Sequence, residues 1–174
     1  NTVEGLDPNI IHINGYVYAI VYVGFGGDGY VTTVEIMDDG MITDLVIDTI
    51  MFCDTEAGTQ IAEPRIIKIG INTYAIIFRN PDDDGEIRSI KIMDDGTFNN
   101  PSKFDGAYSD KFTFDQYDAW RPGVGMNHIS SDIYACVYRG RDGKGTLLTL
   151  RMTAAGDIDD NIIDKFYFEP LICF

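Results

Sequence analysis

The sequence predicts an all-β fold of three four-stranded antiparallel β-propeller blades, because one residue pattern occurs three times along its 174 residues. Each copy has a Tyr-Ala pair, a glycine ten residues after the alanine, and a second glycine eleven residues further on. A phenylalanine follows near the end of each copy. Ala19, Ala75 and Ala135 mark the three pairs, so the period is 56 residues and then 60. Long, regular repeats of four strands are typical of propeller blades.

The first copy shows why each unit is predicted to contain four strands joined by hairpins. A short apolar run ends at Asn14-Gly15, a dipeptide typical of tight turns. Residues 16–23 are apolar at alternating positions on both faces, which predicts a strand buried from two sides. Residues 30–37 and 42–52 predict two further strands of increasing polarity. No apolar period of 3.6 residues is long enough to predict a helix. The predicted blades lie approximately at 8–63, 64–121 and 122–174, in a single domain.

Three blades are too few to close a ring, since propellers have about 4–8 blades. The two terminal sheets would therefore expose apolar faces. Either two chains associate as a homodimer through their open blade edges, each giving half of a six-bladed ring, or the chain is a fragment of a longer propeller. Residues 169–172 resemble residues 63–66, where the second copy starts. They are either the first strand of a fourth copy or the end of the last outer strand.

The chain is strongly acidic, with a formal net charge of −15. Nucleic-acid binding needs clustered Lys and Arg, whereas the 13 basic residues are scattered, so we expect no nucleic-acid partner. The same charge disfavours an anionic membrane surface. No apolar run of 18 residues occurs, so we expect no membrane insertion. The acidity fits a solvated surface, a cation-rich medium or the binding of a divalent metal.

One acidic turn in the second copy is the candidate metal site. Asp82, Asp83 and Asp84 precede Gly85 in a sequence that resembles a DxDG calcium loop. Calcium takes several oxygen ligands around a sharp turn, so Asp82 and Asp84 are the candidate Ca²⁺ ligands. The matching turns of the other copies have fewer carboxylates. Because Asp-Gly turns also form for backbone reasons alone, an ordinary hairpin turn is the alternative.

The candidate ligand-binding residues are Trp120, Arg121 and Tyr108. Trp120 is the only tryptophan and precedes Arg121 in the connection between the second and third copies. An exposed aromatic ring beside an arginine can stack on and bind a sugar. Tyr108 lies in an insertion that interrupts the second copy, where specific function is often located. Because Trp120 does not recur in the other connections, a packing role between blades is the alternative.

Enzymatic activity is not predicted. The chain has no GxSxG elbow, HExxH motif, phosphate-binding glycine loop or Cys–His pair at a known family spacing. Carboxylates are plentiful enough to include a glycosidase-type pair, but no two of them are distinguished by the sequence.

Histidines and cysteines leave further alternatives open. His12 and His128 fall in the predicted innermost strands, where they are either metal ligands or packed side chains. Cys136 replaces an isoleucine of the other copies and is predicted to be a core thiol. Cys53 and Cys173 follow strand-like segments, and the sequence does not decide whether they pair.

Residues 8–22, together with Gly27-Asp28-Gly29 and Thr32-Thr33, resemble tandem repeats in large secreted or surface proteins of archaea, notably methanogens. The resemblance covers essentially the whole chain and is strongest in the first copy. It implies propeller blades, a secreted or cell-surface location, and a non-enzymatic binding or structural role with a glycan or surface protein as partner. A carbohydrate-binding lectin is the alternative function, and a glycan-active hydrolase is the third.

Overall fold

The chain is an all-β protein in a computed structural model that describes residues 5–99, 108–116, 119–140 and 143–168. Over residues 120–124 the description covers the backbone alone. Twelve strands lie within the described residues. They are β1 Leu6–Asn14, β2 Val17–Val23, β3 Gly29–Ile36, β4 Ile42–Cys53, β5 Ala62–Gly70, β6 Thr73–Arg79, β7 Gly85–Lys91, β8 Asp110–Asp115, β9 Trp120–Ser130, β10 Ile133–Arg139, β11 Gly145–Met152 and β12 Ile158–Tyr167.

The strands form three four-stranded antiparallel sheets, each a simple meander in chain order. The first sheet is β1–β4, the second is β5–β8 and the third is β9–β12. The predicted all-β class and the three four-stranded antiparallel units are therefore confirmed. Phe25–Gly27 forms a 3₁₀ turn, and no helix within the described residues is long and apolar enough to cross a bilayer.

The second sheet is buried on both faces, as the predicted two-sided strand requires. On β6, Tyr74, Ile76 and Phe78 pack into a core cluster shared with the first sheet. The alternate residues Ala75 and Ile77 pack into a second cluster shared with the third sheet. Because successive side chains of a strand point to opposite faces, one seven-residue strand contributes to both cores.

The repeated glycine that starts the third strand of each sheet is explained by the repeated phenylalanine. A Cβ atom added to Gly29 would lie under 3.0 Å from the ring of Phe52. The pairs Gly85–Phe114 and Gly145–Phe168 have the same close approach. The glycine therefore provides the space in which the aromatic ring packs over the neighbouring strand.

The second repeated glycine closes the hairpin between the third and fourth strands. Gly40, Gly96 and Gly156 have positive φ angles of 85°, 84° and 108°, a region that glycine enters without steric cost. In each copy the glycine N–H donates to the carbonyl of the residue three positions earlier. The three hairpins therefore have the same conformation.

Neighbouring sheets are joined by a hydrogen bond that recurs at both junctions. Thr33 Oγ1 on the first sheet donates to the carbonyl oxygen of Gly96 on the second sheet, at 2.7 Å. Ser89 Oγ on the second sheet donates to the carbonyl oxygen of Gly156 on the third sheet, at 2.6 Å. All four residues are buried, so both bonds are shielded from water.

A second recurring bond lies beside the first. Asp48 Oδ2 on the first sheet accepts from the backbone N–H of Phe98 at 3.2 Å. Asp110 Oδ2 on the second sheet accepts from the backbone N–H of Ile158 at 2.8 Å. Each junction thus has one hydroxyl donor and one carboxylate acceptor that bind the hairpin of the next sheet.

Two of the cysteines are buried free thiols, Cys53 and Cys136, and Cys173 lies outside the described residues. Burial raises the pKa of Cys53 to about 11 and that of Cys136 to about 12, because the thiolate loses its hydration. The core role predicted for Cys136 agrees with its 1% exposure.

These raised pKa values predict that the protein loses stability at alkaline pH. The unfolded thiol ionises near roughly pH 8.5, whereas the folded Cys136 thiol stays protonated. Its stabilising contribution is therefore complete below that pH and is lost as the pH rises toward 12. In urea unfolding, we expect the stability advantage of wild type over Cys136→Ala to shrink by about 2 kcal/mol between pH 7 and pH 10. If the difference in unfolding free energy between wild type and Cys136→Ala does not change with pH, the raised pKa of Cys136 is wrong.

Candidate functional site

A polar cleft of about 510 Å³ lies between the first and second sheets. Its walls are the β4–β5 connection on one side and the β6–β7 turn on the other, and β7 and β8 form its floor. Carboxylates outnumber cations along it, so the cleft carries a negative field. The acidic residues are Asp54, Glu56, Asp82, Asp84 and Glu86, and the basic residues are Arg88 and Lys111.

The first wall is held in place by a carboxylate from the β2–β3 connection. Asp28 Oδ1 accepts from the backbone N–H of Thr55 at 2.9 Å and from its hydroxyl at 2.8 Å. Thr59 Oγ1 donates to the carbonyl oxygen of Glu56 at 2.7 Å. These bonds fix an otherwise irregular connection, and they position Asp54 and Glu56 on the cleft.

The second wall is the β6–β7 turn, which Asn80 organises. Asn80 Oδ1 accepts from the backbone N–H groups of Asp82, at 3.0 Å, and Asp84, at 2.9 Å. This is the local geometry that favours Asn at the start of a turn. Burial raises the pKa of Asp84, and the nearby Asp82 and Glu86 carboxylates raise it further, against the lowering effect of the hydrogen bond with Asn80.

The two candidate calcium ligands, Asp82 and Asp84, both line this cleft. Within the described residues, no group of three or more His, Cys, Asp or Glu side chains has the arrangement of a metal site. The turn geometry set by Asn80 is sufficient to account for the acidic residues there. Calcium binding at Asp82 and Asp84 therefore stays a prediction.

The floor of the cleft contains a buried ion pair, Glu86 with Arg88, whose side chains are 6% and 11% exposed. Arg88 Nε donates to Glu86 Oε1, and Arg88 Nη1 donates to the carbonyl oxygen of Phe52 at 2.5 Å. Asn80 Nδ2 donates to the other carboxylate oxygen of Glu86 at 3.3 Å. Every charged group of the pair is thus compensated, as burial of charge requires.

Tyr108, one of the predicted ligand-binding residues, lies against two cations of this cleft. The guanidinium of Arg88 lies 4.7 Å from the centroid of the Tyr108 ring, and Lys111 Nζ lies 5.8 Å from it. The Tyr108 ring also packs against the core cluster between the first and second sheets. The structure therefore places Tyr108 next to the candidate site, in contact with lining residues.

Trp120 and Arg121, the other two predicted ligand-binding residues, begin β9 in the third sheet. The backbone of Trp120 pairs with that of Arg139 on β10. The side chains of both residues lie outside the described part of the chain. Residues 100–107, which belong to the insertion before Tyr108, also lie outside it. Their role in binding stays a prediction.

The two histidines lie on the first strands of the first and third sheets, where each one contacts the hairpin that follows it. His12 Nε2 lies 2.8 Å from the carbonyl oxygen of Gly15, and His128 Nε2 lies 2.9 Å from that of Ser131. Each ring also contacts a tyrosine of the next strand, at a centroid distance of 5.0 Å. Both histidines therefore support the hairpin that follows them.

Sequence reasoning missed Glu86 and Arg88, although a signal for them exists in the repeats. Glu86 corresponds to Tyr30 and Thr146 in the other copies, and Arg88 corresponds to Thr32 and Leu148. Only the second copy has charges at these two buried positions. Charged residues at an otherwise uncharged repeat position indicate a local specialisation. The residues that line the first wall have no such signal, because irregular connections do not align.

No family model matches the chain, and no curated protein matches it in sequence. Among solved structures, the chain is similar to a subtype N10 neuraminidase-like protein of A/little yellow-shouldered bat/Guatemala. The TM-score is 0.53 at 10% identity, over 92% of this chain and 44% of that one. It is also similar to a mutant of AofleA from Arthrobotrys oligospora, with a TM-score of 0.49 at 12% identity, over 86% of this chain and 41% of that one.

These likenesses bear on the fold alone. The first one supports the propeller-type arrangement of the three sheets, and the chain spans less than half the length of both structures. The chain is thus an all-β protein of propeller type, with three four-stranded antiparallel sheets in the described residues. The archaeal repeat family is not shown by these comparisons.

Proposed function

We propose that the chain is a non-enzymatic binding module built of propeller blades, with the cleft between the first and second sheets as its binding site. The observation that carries the proposal is the buried Glu86–Arg88 pair on the cleft floor. A buried ion pair is often no more stabilising than apolar residues of the same shape. Its presence in the second copy alone is therefore better explained by a ligand than by the needs of the scaffold.

The chemistry of the cleft favours a neutral polyhydroxylated ligand, so carbohydrate binding is the specific form of this proposal. Carboxylates accept hydrogen bonds from hydroxyl groups, while Arg88 and Lys111 donate to hydroxyl or ring oxygens. Five carboxylates against two cations disfavour an anionic ligand. The Tyr108 ring beside both cations adds an aromatic surface of the kind that sugars stack on.

The resemblance of the repeats to secreted and surface proteins supports a location outside the cell, with a glycan or a glycosylated surface protein as the partner. A glycan-active hydrolase is the remaining alternative. It predicts slow cleavage of a bound glycan, and it predicts that this cleavage disappears in Asp84→Asn, whose carboxyl group has the raised pKa expected of a general acid.

A glycan-binding screen followed by calorimetry tests the proposal. We expect wild type to bind neutral glycans, and Asp82→Asn to weaken that binding by about tenfold through loss of a charged acceptor. Asp132→Asn is the matched control, because Asp132 lies on the third sheet in an exposed pair with Arg151. Trp120→Ala tests the predicted stacking residue, and titration with Ca²⁺ tests Asp82 and Asp84 as metal ligands.

The outcomes separate the alternatives. Binding that is insensitive to Asp82→Asn would move the site away from this cleft. If neutral, cationic and anionic glycans all fail to bind, the carbohydrate assignment is wrong.

A further inference from the structure

The first and third sheets each leave one face uncovered, and these faces carry exposed apolar side chains. On the first sheet, Ile42 is 59% exposed and Val46 is 60% exposed. On the third sheet, Ile163 is 48% exposed and Phe166 is 59% exposed. Exposed apolar surface of this kind marks sites of association.

The repeat shows what each uncovered face is built to contact. We call the face that packs against the preceding sheet the leading face, represented by Tyr74 and Ile76 on the second sheet and Tyr134 and Cys136 on the third. The opposite face, which packs against the following sheet, is the trailing face, represented by Ala19 and Val21 on the first sheet and Ala75 and Ile77 on the second. The leading face of the first sheet and the trailing face of the third are the two that remain uncovered.

The leading face of the first sheet includes the hairpin between β3 and β4. The matching hairpins of the second and third sheets are buried against the sheet that precedes them. Ile42 corresponds to Phe98 and Ile158, both of which are only 6% exposed because they contact the preceding sheet. Gly96 and Gly156 are buried against the preceding sheet. A Cβ atom added to either glycine would lie within 3.2 Å of a side-chain atom of that sheet. The matching Gly40 has the same positive φ but nothing within 4 Å.

The trailing face of the third sheet has the matching hydrogen-bonding groups. Thr149 corresponds to Thr33 and Ser89, the hydroxyl donors of the two existing junctions. Asp164 pairs with Thr149 across the strands, as Asp48 pairs with Thr33.

Asp164 is also oriented in the same way as the two existing carboxylate acceptors. Its Oδ1 accepts from the N–H of Lys165 at 2.8 Å, the distance that Asp48 and Asp110 show to the residues following them. Thr149, Asp164 and Phe166 line a shallow groove of about 70 Å³ on this face. The groove lies where the next hairpin would be seated.

We propose that a second copy of this chain covers both faces at once, so that the leading face of each first sheet docks on the trailing face of the other copy's third sheet. Thr149 Oγ1 then donates to the carbonyl oxygen of Gly40 of the second copy, and Asp164 accepts from its Ile42 N–H. Two such junctions related by a two-fold axis leave no face uncovered. The result is a closed ring of six blades, within the range that propellers adopt.

A second copy is the occupant because the two uncovered faces are the two halves of one junction, which the chain already forms twice within itself. The cleft of the proposed function lies between the first and second sheets of a single chain. The dimer is therefore independent of the ligand assignment, and either one can fail without the other.

Light scattering coupled to size-exclusion chromatography gives the first test on the full chain. We expect a single species of twice the 19.4 kDa chain mass. A monodisperse monomer would overturn the proposal, and so would an open-ended series of larger species, since neither is a closed ring.

Single substitutions on each face test its location. We expect Ile42→Asp and Ile163→Asp each to weaken dimerisation by about a hundredfold or more, because each buries a carboxylate in an apolar junction. Both residues are exposed within the single chain, so circular dichroism should show an unchanged fold. The matched control is Leu45→Asp. The Leu45 side chain is 73% exposed, and its counterpart Asn161 stays exposed in the third sheet although the hairpin there is packed against the second sheet, so Leu45 should lie outside the junction. This substitution should change the dimer affinity by less than about threefold.

Mixing the two defective variants tests the head-to-tail arrangement. A mixed dimer has one junction with both substitutions and one with neither, so the mixture should associate more tightly than either variant alone. In addition, Thr149→Val should weaken the wild-type dimer by about twenty-fivefold, because one hydrogen bond of about 1 kcal/mol is lost at each of the two junctions. A dimer that persists in both Asp variants, or a mixture that shows no recovery, would overturn this interface.

Discussion

Phe52→Ala is expected to lower the free energy of unfolding by about 3–5 kcal/mol, the usual range for removing a buried aromatic ring. The Phe52 side chain is fully buried at the junction of the first and second sheets. Its ring packs over Gly29 and meets the ring of Phe78 edge-on, at a centroid distance of 5.2 Å. Removing it leaves a cavity that neighbouring strands cannot fill, because their positions are set by backbone pairing.

Urea unfolding followed by circular dichroism measures this loss, at a fixed protein concentration so that any association affects both proteins equally. Phe25→Ala is the matched control, since the Phe25 side chain is 61% exposed and should cost less than about 1 kcal/mol. Equal losses at the two positions would show that the junction is not a packed core.

Glu86→Ala is expected to have a comparable effect, about 3–5 kcal/mol, for an electrostatic reason. The substitution leaves the Arg88 guanidinium buried without its carboxylate, and it also removes an acceptor of the Asn80 side chain. The remaining contacts of Arg88, with the carbonyl oxygen of Phe52 and the ring of Tyr108, do not supply a compensating charge.

Two comparisons isolate the cause. Asp132→Ala removes a carboxylate from the exposed pair with Arg151, so urea unfolding should show a loss of less than about 1 kcal/mol. Combining Glu86→Gln with Arg88→Met removes both charges together and should recover much of the stability that Glu86→Ala loses. If the double variant is as unstable as Glu86→Ala, packing and not charge accounts for the loss.

The repeat made much of the fold predictable. The alternation of apolar residues in 16–23 predicts a strand that is buried on both faces. The matching strand of the second sheet, β6, has two buried faces, whereas in the first sheet only the face toward the second sheet is buried, because no sheet precedes it. The constant spacing from Gly29 to Gly40 corresponds to one strand and its hairpin, and this length is conserved in every sheet. The Gly29–Phe52 packing explains why both residue types recur, which the spacing alone did not reveal.

The candidate site was only partly predictable, because its parts are distant in the sequence. Asp82 and Asp84 were identified from a local acidic run, and they do line the cleft. Arg88 reaches the carbonyl of Phe52, 36 residues earlier, and Asp28 holds Thr55, 27 residues later. No local pattern indicates such contacts, and the connection that forms the first wall has no regular period to align.

The sequence by itself determined the class of fold, the repeat of a four-stranded unit and the hairpin turns, because these depend on residue alternation, on spacing and on the backbone freedom of glycine. Only the tertiary structure decided where the polar cleft lies, how the Glu86–Arg88 pair is compensated and which groups join neighbouring sheets. The physical reason is that burial and hydrogen bonding between sheets depend on which sheets are adjacent. That adjacency also identifies the two uncovered faces on which the proposed dimer rests.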